Sequence, residues 1–246
     1  MEVEAIVLLL LSGLVLMTLL ILRGKKGPVP SVRQLPAFQK MPREMEYAAE
    51  SGTAVHIALG SRSLYEDDAL VSLAGLQVLA SLADTAVSFS APPIITVGDP
   101  TLLPLAQDIL RRAYERHNRL EAYNPANVRF IAPTPLAYAA GTAQTIATGG
   151  ITANFIAGAF ESEVSLIADT GIRRDLPQLS AVTTPAAAGA LYPVADHLAI
   201  GEELYAATAQ ITGKRRYLLG LVAQDVIRVV LVLAIAGVAL FSILTG

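Results

Sequence analysis

The sequence predicts an α/β domain with a mainly parallel open sheet of about five strands, helices on both faces and a transmembrane helix at each end of the chain. Three observations carry this. Between residues 53 and 212, short apolar runs alternate with longer helix-patterned segments, the layout of a parallel sheet with right-handed crossovers. The runs are continuously apolar rather than alternating, as a sheet covered on both faces requires. Apolar residues make up 53% of the 246 and charged residues only 16%, too apolar for a purely soluble chain.

Two terminal stretches hold that excess. Residues 5–22 (AIVLLLLSGLVLMTLLIL) carry no charge over 18 positions, about 27 Å as a helix, enough to cross a hydrocarbon core. A cleaved signal peptide would start basic and end in small residues. Here Glu2 and Glu4 come first and Arg23, Lys25 and Lys26 follow, so an uncleaved anchor is expected. Residues 229–244 (VVLVLAIAGVALFSIL) are the second span, reaching full length if Arg228 snorkels to the interface.

The elements between them follow in order. Residues 24–46 are a basic linker, interrupted by Gly24, Gly27, Pro28, Pro30, Pro36 and Pro42, although a short helix can begin at Met41. TAVHIALG (53–60) is a first strand. Residues 67–85 are a helix with Leu70, Leu73, Leu76, Leu79 and Leu82 at three-residue steps. PIITVGD (93–99) is a second strand, closed by Gly98. Residues 101–118 are a helix with Thr101 as N-cap and a charged face of Asp108, Arg111, Arg112, Glu115, Arg116 and Arg119. NVRFIAP (127–133) is a third strand, and residues 135–150 are a helix ending at Gly149-Gly150. ITANFIAG (151–158) is a fourth strand, followed by a short helix over 162–172. LSAVTTP (179–185) is a fifth strand, and residues 186–212 are a last helix broken at Tyr192-Pro193. The division is therefore an anchor (1–23), a linker (24–46), a Rossmann-like domain (47–213), and a basic collar with the second span (214–246).

Charge orients the chain. Six basic residues lie between positions 23 and 43, before the first acid of that region, Glu44. Lys214, Arg215, Arg216 and Arg228 lead into the second span. Both clusters face the middle domain, so the positive-inside rule places that domain in the cytoplasm and both termini outside an inner (plasma) membrane. Residues 47–213 hold eight arginines, no lysine and sixteen acids, a net charge of −8. An acidic body between basic collars suits Arg23, Lys25, Lys26, Lys214, Arg215 and Arg216 on anionic headgroups. It argues against nucleic acid, which needs a basic face. The chain has no cysteine, which removes disulfides, thiolate chemistry and cysteine metal sites.

In an open parallel sheet, ligands bind beyond the carboxyl ends of the strands. Those ends supply Ser61, Arg62 and Ser63, then Asp99 and Thr134, as candidates for a small anionic or nucleotide-like ligand; a solvated turn with Arg62 paired to Glu66 or Asp67 is the plainer alternative. There is no G-x-x-x-x-G-K-[ST], no G-x-G-x-x-G after the first strand and no G-x-S-x-G, so no phosphate loop, dinucleotide site or nucleophile elbow is expected. His56, His117 and His197 have no partner at metal-ligand spacing, and His56 reads as a hydrogen-bonded core residue. Glu161, Glu163 and Asp169 can form an acidic pocket, or simply sit at a helix N-terminus where the dipole favours acids. No cofactor and no catalytic residue are assigned.

One stretch stands apart: GGITANFIAGAFESEVSLIAD, residues 149–169. Gly149 and Gly150 can end a helix and Gly158 a strand. Thr152, Asn154, Gly158 and Ala159 then offer small surfaces for close packing within one chain or between copies. With the anchor, the Pro/Gly linker, the acidic domain, the basic KRR and the C-terminal span, this stretch resembles a family of uncharacterised bacterial two-span membrane proteins whose cytoplasmic α/β domain has no known function. The resemblance implies fold and topology and carries no site residues. Expected from all this is a membrane-anchored scaffold forming homo-oligomers, with other membrane proteins as further partners; the alternative is a tethered sensor for a small ligand at the sheet's C-terminal edge.

Overall fold

The structure is a computed structural model that describes residues 11–14, 18, 38, 40–65, 69–212 and 215–245. The chain divides into two compact units, Gln34–Thr212 and the paired ends Met1–Arg33 with Gly213–Gly246.

In the first unit, helix α1 (Met41–Ser51) leads into β1 (Ala54–Gly60), whose seven residues are all buried. Then come α2 (Ala69–Phe89), β2 (Pro93–Val97), α3 (Leu102–Arg116), β3 (Val128–Phe130), α4 (Pro135–Thr148), β4 (Ile151–Ala159), α5 (Val164–Arg173), β5 (Gln178–Val182), α6 (Pro185–Leu191), β6 (His197–Ile200) and α7 (Glu203–Thr212). The described strands form one sheet in the order β3-β2-β1-β4-β5-β6, with every pairing parallel. That order is the doubly wound one, in which the chain builds outward from β1 in one direction and then returns to β4 to build in the other.

The reversal decides which face each helix covers. Val55, Ile57 and Leu59 of β1, with Phe155 and Ala157 of β4, share a core with Met41 and Met45 of α1, Leu79 and Leu82 of α2, Leu110 of α3 and Leu204 of α7. Ala58, Ile156 and Val182 point to the other face and pack on Tyr138 of α4, Ile167 of α5 and Leu191 of α6. Helix α3 shows why such sequences fold so: its buried Leu102, Ala106, Leu110, Ala113 and Tyr114 fall on one stripe. Helix α2 is different, buried on most of its circumference. Among the described residues it is the one helix long and apolar enough to cross a membrane, yet 67% of its most apolar 18-residue stretch is buried, because it is the central helix of its layer.

Three expectations change. The last predicted helix, 186–212, is instead α6, β6 and α7; Pro193 ends a helix rather than kinking one, and the chain then re-enters the sheet as a short edge strand. His197 accordingly lies in a strand, not a helix. The stretch read as the end of the linker belongs to the body: Phe38, Met41 and Met45 are at most 7% exposed, within its core.

In the second unit, Leu11–Leu14 and Thr18 are helical. Helix α8 (Arg215–Thr245) is continuous over 31 residues, about 46 Å. The basic residues Arg23, Lys25, Lys26 and Lys214 lie outside the described residues, as do the side chains of Arg215 and Arg216.

Candidate functional site

An all-parallel sheet sends every loop that follows a strand to one edge, and the strand order reverses between β1 and β4. The loops leaving those two strands diverge to opposite faces, the position at which open α/β sheets form their ligand crevice. Residues 61–64 are the loop on the β1 side. Gly98 N–H donates to Gly60 O (2.9 Å), Ser72 Oγ donates to Arg62 O (3.1 Å), and Leu64 N–H donates to Thr101 Oγ1 (3.5 Å), fixing this loop to its neighbours. Across the crevice, Arg62 Nη2 lies 3.8 Å from Glu161 Oε1 in the loop after β4. Both side chains are more than a third exposed, so the pair contributes well under about 1 kcal/mol. Glu66 and Asp67, the partners considered from sequence, lie outside the described residues.

The other candidates separate. Ser61 is buried, and its Oγ has no hydrogen-bond partner among the described residues. Asp99 is engaged locally: its Oδ1 accepts from Thr101 N–H (2.8 Å) and from the Thr101 hydroxyl. Thr101 therefore does not cap α3 through its own side chain; Asp99 does the work expected of it. Thr134 holds the N-cap position of α4 with an extended backbone and no side-chain cap bond, and it is exposed beyond the edge strand β3. Ser63 is half-buried in the loop after Arg62.

The acids do not converge. Glu163 turns back so that both carboxylate oxygens accept from Glu161 N–H, at 3.0 and 3.1 Å, while Asp169 is on the exposed face of α5, paired with Arg173 at 2.7 Å. No group of three or more potential metal ligands occurs among the described residues. Among the described residues the edge is acidic. Arg62 stands against Asp99, Glu161, Glu163, Glu202 and Glu203, a balance that disfavours a phosphate and favours a neutral or cationic ligand.

Residues 149–169 run from the end of α4 through β4 into α5. Gly150 takes left-handed backbone (φ 60) but Gly149 does not. The close approach lies farther on, between β1 and β4. A Cβ on Gly158 would stand 2.2 Å from Leu59 O, and one on Gly60 would stand 2.2 Å from Ala159 O, so each strand requires the other's glycine. Asn154 is fully buried and Ala159 is 2% exposed; Thr152 Oγ1 bonds Thr53 Oγ1 across the strands (3.0 Å). These small residues pack strand on strand inside one chain. Asn154, Gly158 and Ala159 therefore cannot be the surface on which two copies meet.

A buried polar belt crosses the sheet beneath the crevice. Gly60 N–H donates to the Tyr138 hydroxyl (3.3 Å), which lies 3.2 Å from Thr96 Oγ1. Thr96 Oγ1 is 3.0 Å from His56 Nε2, and His56 Nδ1 is 2.7 Å from Asn154 Oδ1. Asn154 Nδ2 donates to Gln178 Oε1 (3.2 Å), and Gln178 Nε2 donates to Ala168 O (3.0 Å). Because the Asn154 amide donates to Gln178, its oxygen faces His56, which places the imidazole proton on Nδ1 and leaves Nε2 to accept from Thr96. Burial lowers the His56 pKa to about 4, against the smaller opposing effect of the Asn154 bond, so the ring is neutral. Burial likewise raises the Tyr138 hydroxyl above its ordinary value. Sequence reasoning reached His56 alone. The signal it missed is a buried polar residue at a same-face position of each of four adjacent strands: Thr96, His56, Asn154 and Gln178.

A family described as a domain of unknown function (DUF6754) matches residues 2–245. No curated protein and no solved structure matches the chain.

Proposed function

We propose, for a chain that belongs to the DUF6754 family of unknown function, that it is a membrane-anchored binding module whose α/β body takes a small polar ligand in the crevice between β1 and β4. The observation that carries this is the reversal of strand order at β1 and β4, with Arg62 and Glu161 facing each other across the opening. Crevices at such reversals are where open α/β sheets bind ligands. The acidic rim makes the ligand neutral or cationic where it meets Glu161. A thermal-shift series on the whole chain, with nucleosides and polyamines against inorganic phosphate, tests it. A stabilising ligand should lose its effect in Glu161→Gln and in Arg62→Ala; phosphate as the best ligand would overturn the chemistry.

Anchoring rests on residues 5–22 and on α8, in which Val229, Val230, Val232 and Ile235 are all more than half exposed. Apolar side chains exposed all round a helix call for an apolar solvent. On this reading the basic collars touch anionic headgroups and the body is cytoplasmic, at the inner membrane. The native chain has no cysteine, so a single Ser51→Cys reports topology directly. It should react with a membrane-impermeant maleimide only after permeabilisation.

Assembly into homo-oligomers is a second reading, favoured by Leu70 (70% exposed) and Leu136 (67% exposed) near the starts of α2 and α4. Two anchors would confine copies to a plane and raise their effective concentration. A monodisperse monomer after mild extraction would end it.

A further inference from the structure

On the sheet's opposite edge, where β2 and β3 begin, α2 and α3 end beside a cavity of about 420 Å³, within the range of small-molecule sites. Val87, Ala91 and Pro92 supply its apolar wall, and Tyr114, Arg119 and Glu121 are among its polar lining. Both helices close in the same way. Ser90 (φ 69) and Asn118 (φ 54) take left-handed backbone, after which Ala91 N–H reaches Ala86 O and Arg119 N–H reaches Tyr114 O, each at 2.9 Å. The second of these turns carries the Arg119 side chain across to α2, where Nη1 donates to Val87 O (3.2 Å) and to Ser90 Oγ. A guanidinium held twice by one nitrogen has a fixed position, and its fork keeps further N–H donors for a ligand. Tyr114 is 6% exposed and braced by Tyr123, with ring centroids 6.0 Å apart. Glu121 is exposed on the rim, and no ion pair of it occurs among the described residues.

We propose that this cavity binds a small zwitterion of the free amino acid class, with its carboxylate on Arg119 and its ammonium toward Glu121 and the C-terminal ends of α2 and α3. The choice of class follows from the charges. Helix C-termini carry partial negative charge, so a simple anion meets two of them and Glu121. A simple cation meets the fixed Arg119. Only a molecule with both signs, separated by a few bonds, finds a partner for each. This site is remote from the crevice between β1 and β4 and does not depend on it.

Calorimetric titration of the whole chain in detergent tests the idea, using the standard amino acids with acetate and methylamine as single-charge probes. At least one amino acid should bind saturably, about tenfold or more tighter than either probe. Glu121→Gln should weaken it about tenfold while leaving the unfolding midpoint of the free protein unchanged. Arg119→Lys, which keeps the charge but loses the fork, should also weaken it. Arg62→Ala should have no effect. Absence of binding up to about 10 mM, equal binding of acetate, or binding insensitive to Glu121→Gln would each overturn the proposal.

Discussion

His56 shows how a single buried residue ties stability to pH. Its folded pKa is about 4 against an ordinary 6.5. Below pH 6.5 the unfolded chain takes up a proton that the folded chain refuses, so stability is full above 6.5 and falls as pH drops toward 4. The difference is worth about 3 kcal/mol over that window. Urea unfolding between pH 7 and pH 4.5 should show the midpoint falling, and His56→Gln should flatten that slope while lowering stability at pH 7. A parallel slope in both proteins would show that other groups govern it. Asp175 makes the opposite case. It sits in left-handed backbone (φ 55) at the end of α5, where Leu176 N–H reaches Gly171 O (3.0 Å). Glycine takes that conformation without the steric cost of a Cβ. Asp175→Gly should therefore stabilise by about 0.5–1 kcal/mol, a melting-temperature rise of roughly 2 °C.

At the scale of elements, the buried strands were legible because a strand covered on both faces leaves a continuous apolar run. β1, β2, β4 and β5 were all read from such runs; β1, β2 and β4 were placed within a residue or two, and β5 was drawn three residues too far at its end. β6 does not carry it. It is four residues long, at the sheet's edge, with one residue fully buried. Asp196 and His197 at its start look like a helix surface, so a local pattern could not separate it from the alanine-rich segment before it. The crevice was half legible: the ends of β1 and β4 were visible as glycine-punctuated turns, but which strands are neighbours is set by crossover topology, and only that brings Arg62 to Glu161. Thr184 is the residue by which α6 holds this edge. Its Oγ1 accepts from Ala187 N–H (3.2 Å), capping the helix, and donates to Phe160 O (2.7 Å) in the loop after β4. Thr184→Ala removes both and should cost about 1–2 kcal/mol. Thr184→Ser keeps both bonds and should restore most of the loss in the same denaturation series.

For the whole molecule, the question is where the folding unit begins. Composition draws the boundary near residue 47, because prolines and glycines dominate the stretch before it. The packing draws it earlier, since the compact unit runs Gln34–Thr212. Phe38, Met41 and Met45 are buried at 7%, 3% and 0% exposure in the core that also holds Val55, Leu79 and Leu82. Pro42, read as a linker residue, is in the first turn of α1, where its missing N–H costs nothing. Removing a single buried methionine side chain costs about 2–5 kcal/mol, and a domain of this size is stable by only about 5–15 kcal/mol. Two truncations therefore divide sharply. A fragment of residues 34–212 keeps every one of these contacts and should unfold in a single cooperative thermal transition. A fragment of residues 47–212 loses three large core side chains together and should be aggregated, or lack a cooperative transition in near-ultraviolet circular dichroism. If the shorter fragment melts like the longer one, α1 is an accessory helix and the boundary drawn from composition stands.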